Sequence, residues 1–192
     1  MLKAGGLRRL LYEQGKQLEE AILEALVLFG FEATPYADAE SQFDALFNSP
    51  EGRCLGEAEG KDNKAISVDK ISQLERNLQE DFARDEIDDY AKGVLFGNAY
   101  RLIPVAQRGD FFTTKCVSAA KRGSIALVRT PDLFAPAKYL KEHSPDDQYA
   151  KQCRDAIFKS IGTLVVFPDP PINEEDILAQ DNVKQESKNK DV

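Results

Sequence analysis

The chain has 192 residues, of which 42% are hydrophobic and 30% charged, with a formal net charge of −8; this suits one domain large enough to bury a core. No run approaches the roughly 18–20 uninterrupted apolar residues of a membrane span, and Met1–Gly6 lacks the apolar centre of a secretory signal. Three widely spaced cysteines (Cys54, Cys116, Cys153) argue against a disulfide framework and for a cytoplasmic setting, and a single histidine, His143, nearly excludes His-dependent chemistry.

Taken in order, Leu7 to Phe29 repeats apolar residues at three- and four-residue steps and predicts a helix stopped by Gly30, with Gly15 falling inside it. Phe31–Tyr36, Ser41–Phe47 and Leu55–Lys61 read as strands, the last two joined by an Asn48–Gly52 turn. Ser67 opens a second helix through about Phe82, with Ile71, Leu74 and Leu78 on one face. Asp81–Tyr90 is acidic and predicts a solvated loop or fraying helix end. Lys92–Asn98 and Ile125–Arg129 are apolar on consecutive positions, as in strands buried on both faces. A short helix over Thr113–Arg122 separates them. Thr130-Pro131-Asp132 and Ser144-Pro145-Asp146-Asp147 are helix openings, the second helix ending near Gly162. Thr163–Phe167 predicts a last strand before the Pro168-Asp169-Pro170-Pro171 stop.

Residues 1–171 thus form one expected domain, and 172–192 a polar tail expected to be disordered. Three strands before a helical crossover imply an α/β architecture, a mixed sheet with helices on both faces.

The chemistry concentrates in Leu55-Gly56-Glu57-Ala58-Glu59-Gly60-Lys61. On a strand, alternation places Glu57, Glu59 and Lys61 on one face, a poor core but a suitable site for a hard cation. The hairpin turn would bring Asp44 back towards Glu57, as a second carboxylate for a shared metal. A charged strand face of this kind is most often solvated surface, so the reading depends on Asp44 and the element order. The acidic balance opposes a nucleic-acid partner, since phosphate binding normally uses a basic footprint. The tail carries six acids against three lysines, leaving −5 on the body, and carboxylates around a divalent ion lose much of their repulsion for phosphate. Arg108, Lys115, Lys121 and Arg122 are candidates for a phosphate-facing patch, with scattered solvated charge the plainer reading. Cys54 reads as a small core residue and His143 as surface near a helix cap.

The order helix, three strands, helix, strand, together with Asp44, Glu57 and Gln73, resembles the PD-(D/E)xK nuclease superfamily, the restriction-endonuclease-like fold, nearest its Mrr-like group. The resemblance covers about Gly15 to Asn98. It implies an αβββαβ core with C-terminal helical and strand additions. Asp44 matches the family's first acid, Glu57 the second and Gln73 the helix glutamine. Gly15-Lys16-Gln17-Leu18-Glu19 resembles the group's first-helix motif, which makes Glu19 an additional acid. The sequence departs where the family has lysine two residues after the second acid, because Glu59 stands there. Either Lys61 supplies the ammonium, or the frame shifts so that Glu59-Gly60-Lys61 is the acid-x-Lys. The resemblance implies Mg²⁺ or Mn²⁺ held by Asp44 and Glu57, with Glu19, and catalysis by Asp44, Glu57, Glu59, Lys61 and Gln73. The implied activity is phosphodiester hydrolysis in double-stranded DNA, in host (antiviral) defence or DNA processing, by a homodimer or with a separate recognition module. The rival reading is a degenerate domain that only binds nucleic acid or a protein.

Overall fold

The computed structural model of the chain describes residues 6–34 and 45–171. Asp44 and the tail from Ile172 lie outside the described residues. The expected first helix is two. A short α1 (Arg9–Tyr12) ends where Glu13 turns extended, and α2 (Gly15–Leu28) starts from Gly15 at φ +55°. Glycine reaches that left-handed region without Cβ strain, so the chain can turn a corner there. α2 then buries Leu18, Ala21, Ile22, Ala25 and Leu26 along one face.

Strands β1 (Glu32–Thr34), β2 (Ala45–Ser49) and β3 (Gly52–Gly60) form an antiparallel set. Ser49 pairs with Gly52 across a two-residue turn at Pro50 and Glu51, which fixes the register back to Ala45 opposite Gly56. Helix α3 (Asp69–Phe82) carries the chain to β4 (Lys92–Asn98), parallel to β3 from Cys54↔Lys92 to Gly60↔Asn98. Helix α4 (Thr114–Arg122), capped by the Thr113 hydroxyl, leads to β5 (Ala126–Arg129), parallel to β4. Helices α5 (Phe134–Glu142) and α6 (Asp147–Lys159) follow, the latter capped by Asp146. The sheet order is β1-β2-β3-β4-β5, a mixed five-stranded sheet.

Helices cover both faces, and strand alternation sorts the side chains between them. Cys54, Val94, Phe96 and Val128 join α2, α5 and α6 in one core, while Leu55, Leu95 and Leu127 join α3 and α4 in the other. Gly56 is required by the first core: a Cβ there would stand 2.9 Å from the Phe96 ring and 3.3 Å from that of Phe47.

Two expectations fail locally. Thr163–Phe167 is reduced to one bridge, Leu127↔Leu164, because the prolines that follow lack the N–H groups a longer ladder needs. Asp81, expected in a solvated acidic run, sits in the last turn of α3 with no exposed surface, and two 2.5 Å hydrogen bonds tie it to the Arg53 guanidinium. Among the described residues no helix is long and apolar enough to cross a membrane.

Candidate active site

Along β3 the face towards α3 changes character over a few residues. Leu55 lies in the core, Glu57 is wholly buried, and the Glu59 side chain is 18% exposed. Lys61 follows the strand end, its backbone N–H donating to the Asn98 carbonyl at 3.0 Å. Gly60 lets this end press onto the corner between α1 and α2, since a Cβ would fall 2.4 Å from that of Gln14.

A buried carboxylate costs several kcal/mol unless its oxygens are bonded or paired, and α3 supplies the partners. Ile71, Leu74 and Leu78 face the core, while Lys70, Gln73 and Asn77 form the neighbouring stripe at helical spacing. Asn77, itself buried, donates from Nδ2 to Glu57 Oε1 at 2.7 Å, and Gln73 Nε2 reaches the same oxygen at 3.4 Å. Lys70 Nζ stands 3.3 Å from Glu57 Oε2, 3.4 Å from Glu59 Oε2 and 3.2 Å from Gln73 Oε1. Lys61 Nζ pairs with Glu59 Oε1. Among the described residues, two carboxylates and two ammonium groups therefore share one end of β3.

The structure thus brings Glu57, Glu59, Lys61 and Gln73 together. Asp44 lies outside the described residues; its neighbour Ala45 pairs with Gly56, next to Glu57. Glu19 belongs to α2, so the sheet lies between its helix and the face that carries Glu57 and Glu59. Sequence reasoning missed Lys70 and Asn77. The available signal was the polar i, i+3, i+7 stripe running beside Ile71, Leu74 and Leu78.

The basic residues divide by role. Arg108 is a structural clasp: it donates to Asn98 Oδ1 at 2.8 Å and to the carbonyls of Leu11, Ile103 and Arg101. Asn98 in turn donates to the Glu13 carbonyl, and Arg101 bonds Asp62 and the Tyr12 carbonyl. These groups pin the loop after β4 to the α1–α2 corner. Lys115, Lys121 and Arg122 are exposed on α4. Cys54 is enclosed, and burial pushes its thiol up to about 12, which leaves it unreactive. His143 is exposed and stacks on Tyr139 with ring centroids 4.6 Å apart.

Among the described residues there is no group of three or more His, Cys, Asp or Glu side chains placed to hold a metal. The donors present are nevertheless hard oxygens: two carboxylates and the Gln73 amide oxygen surround the Lys70 ammonium, so they already enclose a cation. One or two carboxylates, completed by water and phosphate oxygens, is the donor set Mg²⁺ uses at phosphoryl sites. The residues fit such an ion.

No family model and no curated protein matches the chain. Among solved structures, restriction endonuclease FokI matches with a TM-score of 0.56 and 9% identity, over 84% of this chain and 30% of that one. The fold is restriction-endonuclease-like. The chain corresponds to less than a third of the length of that relative in structure.

Proposed function

We propose that the chain is a Mg²⁺- or Mn²⁺-dependent nuclease of the PD-(D/E)xK type, Mrr-like in its first helix, that hydrolyses phosphodiester bonds in double-stranded DNA. The observation that carries this reading is the buried Glu57 carboxylate, oriented by Asn77 and set beside Glu59 at the end of β3, in a fold shared with a restriction endonuclease. Asp44 and Glu57 are the proposed ligands, with Glu59 beside them as the proposed base; Glu19, on the helix across the sheet, is not among them.

A divalent ion bound there supplies Lewis-acid polarisation of the phosphate and a more acidic water. The protein's own groups do the rest. Asn77 and Gln73 hold Glu57 Oε1, which leaves Oε2 facing Lys70. Glu59, more exposed than Glu57, is the proposed acceptor of a proton from the attacking water. Lys61, paired with Glu59, keeps that carboxylate on the strand face. An ammonium beside the carboxylates offsets charge that develops on the phosphate oxygens. Recognition of the target is assigned to a second copy or a separate module, and the setting to host defence or DNA processing in the cytoplasm.

A second reading, a domain that binds nucleic acid or a protein without cutting, draws support from Glu59 standing where the family has lysine. Nicking of supercoiled plasmid by the full chain separates the two. The nuclease reading expects cleavage that requires Mg²⁺ or Mn²⁺ and is lost in Asp44→Ala and Glu57→Ala. DNA left intact by the wild type across both metals, but shifted in a gel, would establish the binding domain instead.

A further inference from the structure

Glu59 of β3 and Arg129 of β5 occupy one row of the sheet. Glu59 pairs with Gly97 on β4, and Gly97 pairs with Arg129. Neighbouring strands lie about 4.8 Å apart, so the two backbones stand roughly 9.5 Å from each other. Leu127, two residues before Arg129, joins the core under α3 and α4, so alternation puts Arg129 on the face that carries Glu57 and Glu59. The three strands run parallel and end here, and open α/β sheets seat their ligands beyond the carboxyl ends of such strands.

Beside Arg129 lies a cavity of about 370 Å³, a size typical of ligand sites. Leu127 and Leu164 line it from the sheet edge, Val117 from α4, and Phe111 and Phe112 from the loop before that helix. Phe112 stands over Gly97, where a Cβ would come within 2.8 Å of its ring, and so forms the wall towards Glu59. Val117 and Leu164 remain 41% and 38% exposed, which opens this apolar lining to solvent. Asp110, the acid on the rim, is exposed, so solvent screens its charge.

Arg129 presents a fork to this space. Its Nε donates to Asp132 Oδ2 at 2.6 Å, and the guanidinium carbon sits 5.7 Å from the centroid of the Phe111 ring. These two anchors set its plane. The side chain is 42% exposed, and among the described residues its two outer nitrogens make no hydrogen bond. A planar guanidinium with both outer nitrogens available suits bidentate contact with a phosphate.

We propose that this cavity is a backbone subsite for the DNA substrate: Arg129 Nη1 and Nη2 hydrogen-bond a phosphate away from the scissile one, and the apolar face of the attached deoxyribose rests on Val117, Leu127 and Leu164. The inference rests on the nuclease reading above and adds a contact outside its catalytic group. No bond forms or breaks there. The contact sets the register of the strand over β3 and carries no sequence information.

The test uses the full chain with Arg129→Met, Arg129→Lys and Val117→Trp. Lys138→Ala is the control, an exposed cation of α5, which packs on the opposite face of the sheet. Binding of a short fluorescein-labelled duplex is followed by anisotropy in Ca²⁺ over a series of KCl concentrations, with unfolding midpoints to verify folding. Arg129→Met is expected to bind about tenfold or more weakly, the loss of a hydrogen bond to a charged group. Its plot of log affinity against log salt should also be shallower by about 0.9, the release of one phosphate contact. Arg129→Lys should recover the slope without the full affinity, since an ammonium keeps the charge and lacks the fork. Val117→Trp should keep the slope and bind about tenfold or more weakly, because its bulk takes the space of the sugar. Lys138→Ala should match wild type. Arg129→Met within about threefold of wild type at an unchanged slope, or Val117→Trp at wild-type affinity, would overturn the subsite, and plasmid nicking by wild type in Mg²⁺ would still uphold the nuclease reading. Wild type that binds with this Arg129 dependence but does not nick would uphold the subsite and end the nuclease reading. Wild type that neither binds nor nicks would overturn both.

Discussion

Asn77 offers the sharpest check on how the site is held. It is buried, and its 2.7 Å bond is the shortest that α3 makes to Glu57, those of Lys70 and Gln73 being 3.3 and 3.4 Å. Asn77→Ala removes that donor from a buried carboxylate oxygen to which Gln73 makes a longer bond. Hydrogen bonds to charged groups contribute about 1.5–3 kcal/mol, and the oxygen regains no water in compensation. For a domain of this size each kcal/mol moves the midpoint by about 2–4 °C, so the variant should melt roughly 3–12 °C lower. A double-mutant cycle isolates the pair: Asn77→Ala, Glu57→Gln and the double variant, unfolded by urea and followed by circular dichroism. Glu57→Gln retains the shape and a neutral acceptor, so the predicted coupling is about 1 kcal/mol, the charged part of the bond. Coupling below about 0.3 kcal/mol, the ordinary additivity of unrelated sites, would refute the claim that Asn77 orients Glu57.

Other outcomes follow from the same geometry. Arg53→Ala leaves Asp81 buried without its fork of two hydrogen bonds and should cost about 3–5 kcal/mol in urea unfolding; Arg53→Lys should not restore it, since an ammonium lacks the planar fork. Gly56→Ala drives a methyl against Phe96 and Phe47 and should cost about 1–3 kcal/mol by overpacking, visible as a lowered melting midpoint. Arg154, through bonds of 2.7 and 3.0 Å, holds the Glu51 carboxyl down to about 2. The folded chain therefore binds that proton later than the unfolded one. The resulting stability is present above the ordinary carboxylate pKa of about 4.3 and is lost as pH falls towards 2. Glu51→Gln should be less stable than wild type at pH 7, and the gap should close over that acid window in a pH series of urea midpoints.

Much of the frame could be read from the chain because its signals are local. The Asn48–Gly52 turn and the alternation along β3 place Glu57 and Glu59 together on one face, and that face is where they lie. The crossover helix was equally legible from Ile71, Leu74 and Leu78. The partners of the acids were not. A helix stripe of Lys, Gln and Asn has the composition of a solvated face, and only packing against β3 turns Lys70 and Asn77 inwards. Asp81 misled for the converse reason, an acidic neighbourhood hiding one residue that meets Arg53 from 28 positions away. Arg108 binds the Leu11 carbonyl across 97 positions, a distance over which no periodicity reports. Gly15 was visible as an interruption, but its left-handed φ, which splits the helix into α1 and α2, emerges only in the folded backbone.

If the carboxylates at the end of β3 form a divalent-cation site, the folded chain must bind Mn²⁺ through Glu57. Electron paramagnetic resonance counts free Mn²⁺ during titration of the full chain and of Glu57→Gln, which keeps the side-chain shape and removes the charge. Wild type should bind Mn²⁺ saturably, and the variant at least tenfold more weakly. Equal affinity in the two proteins, or no binding by either, would rule out a cation site on Glu57.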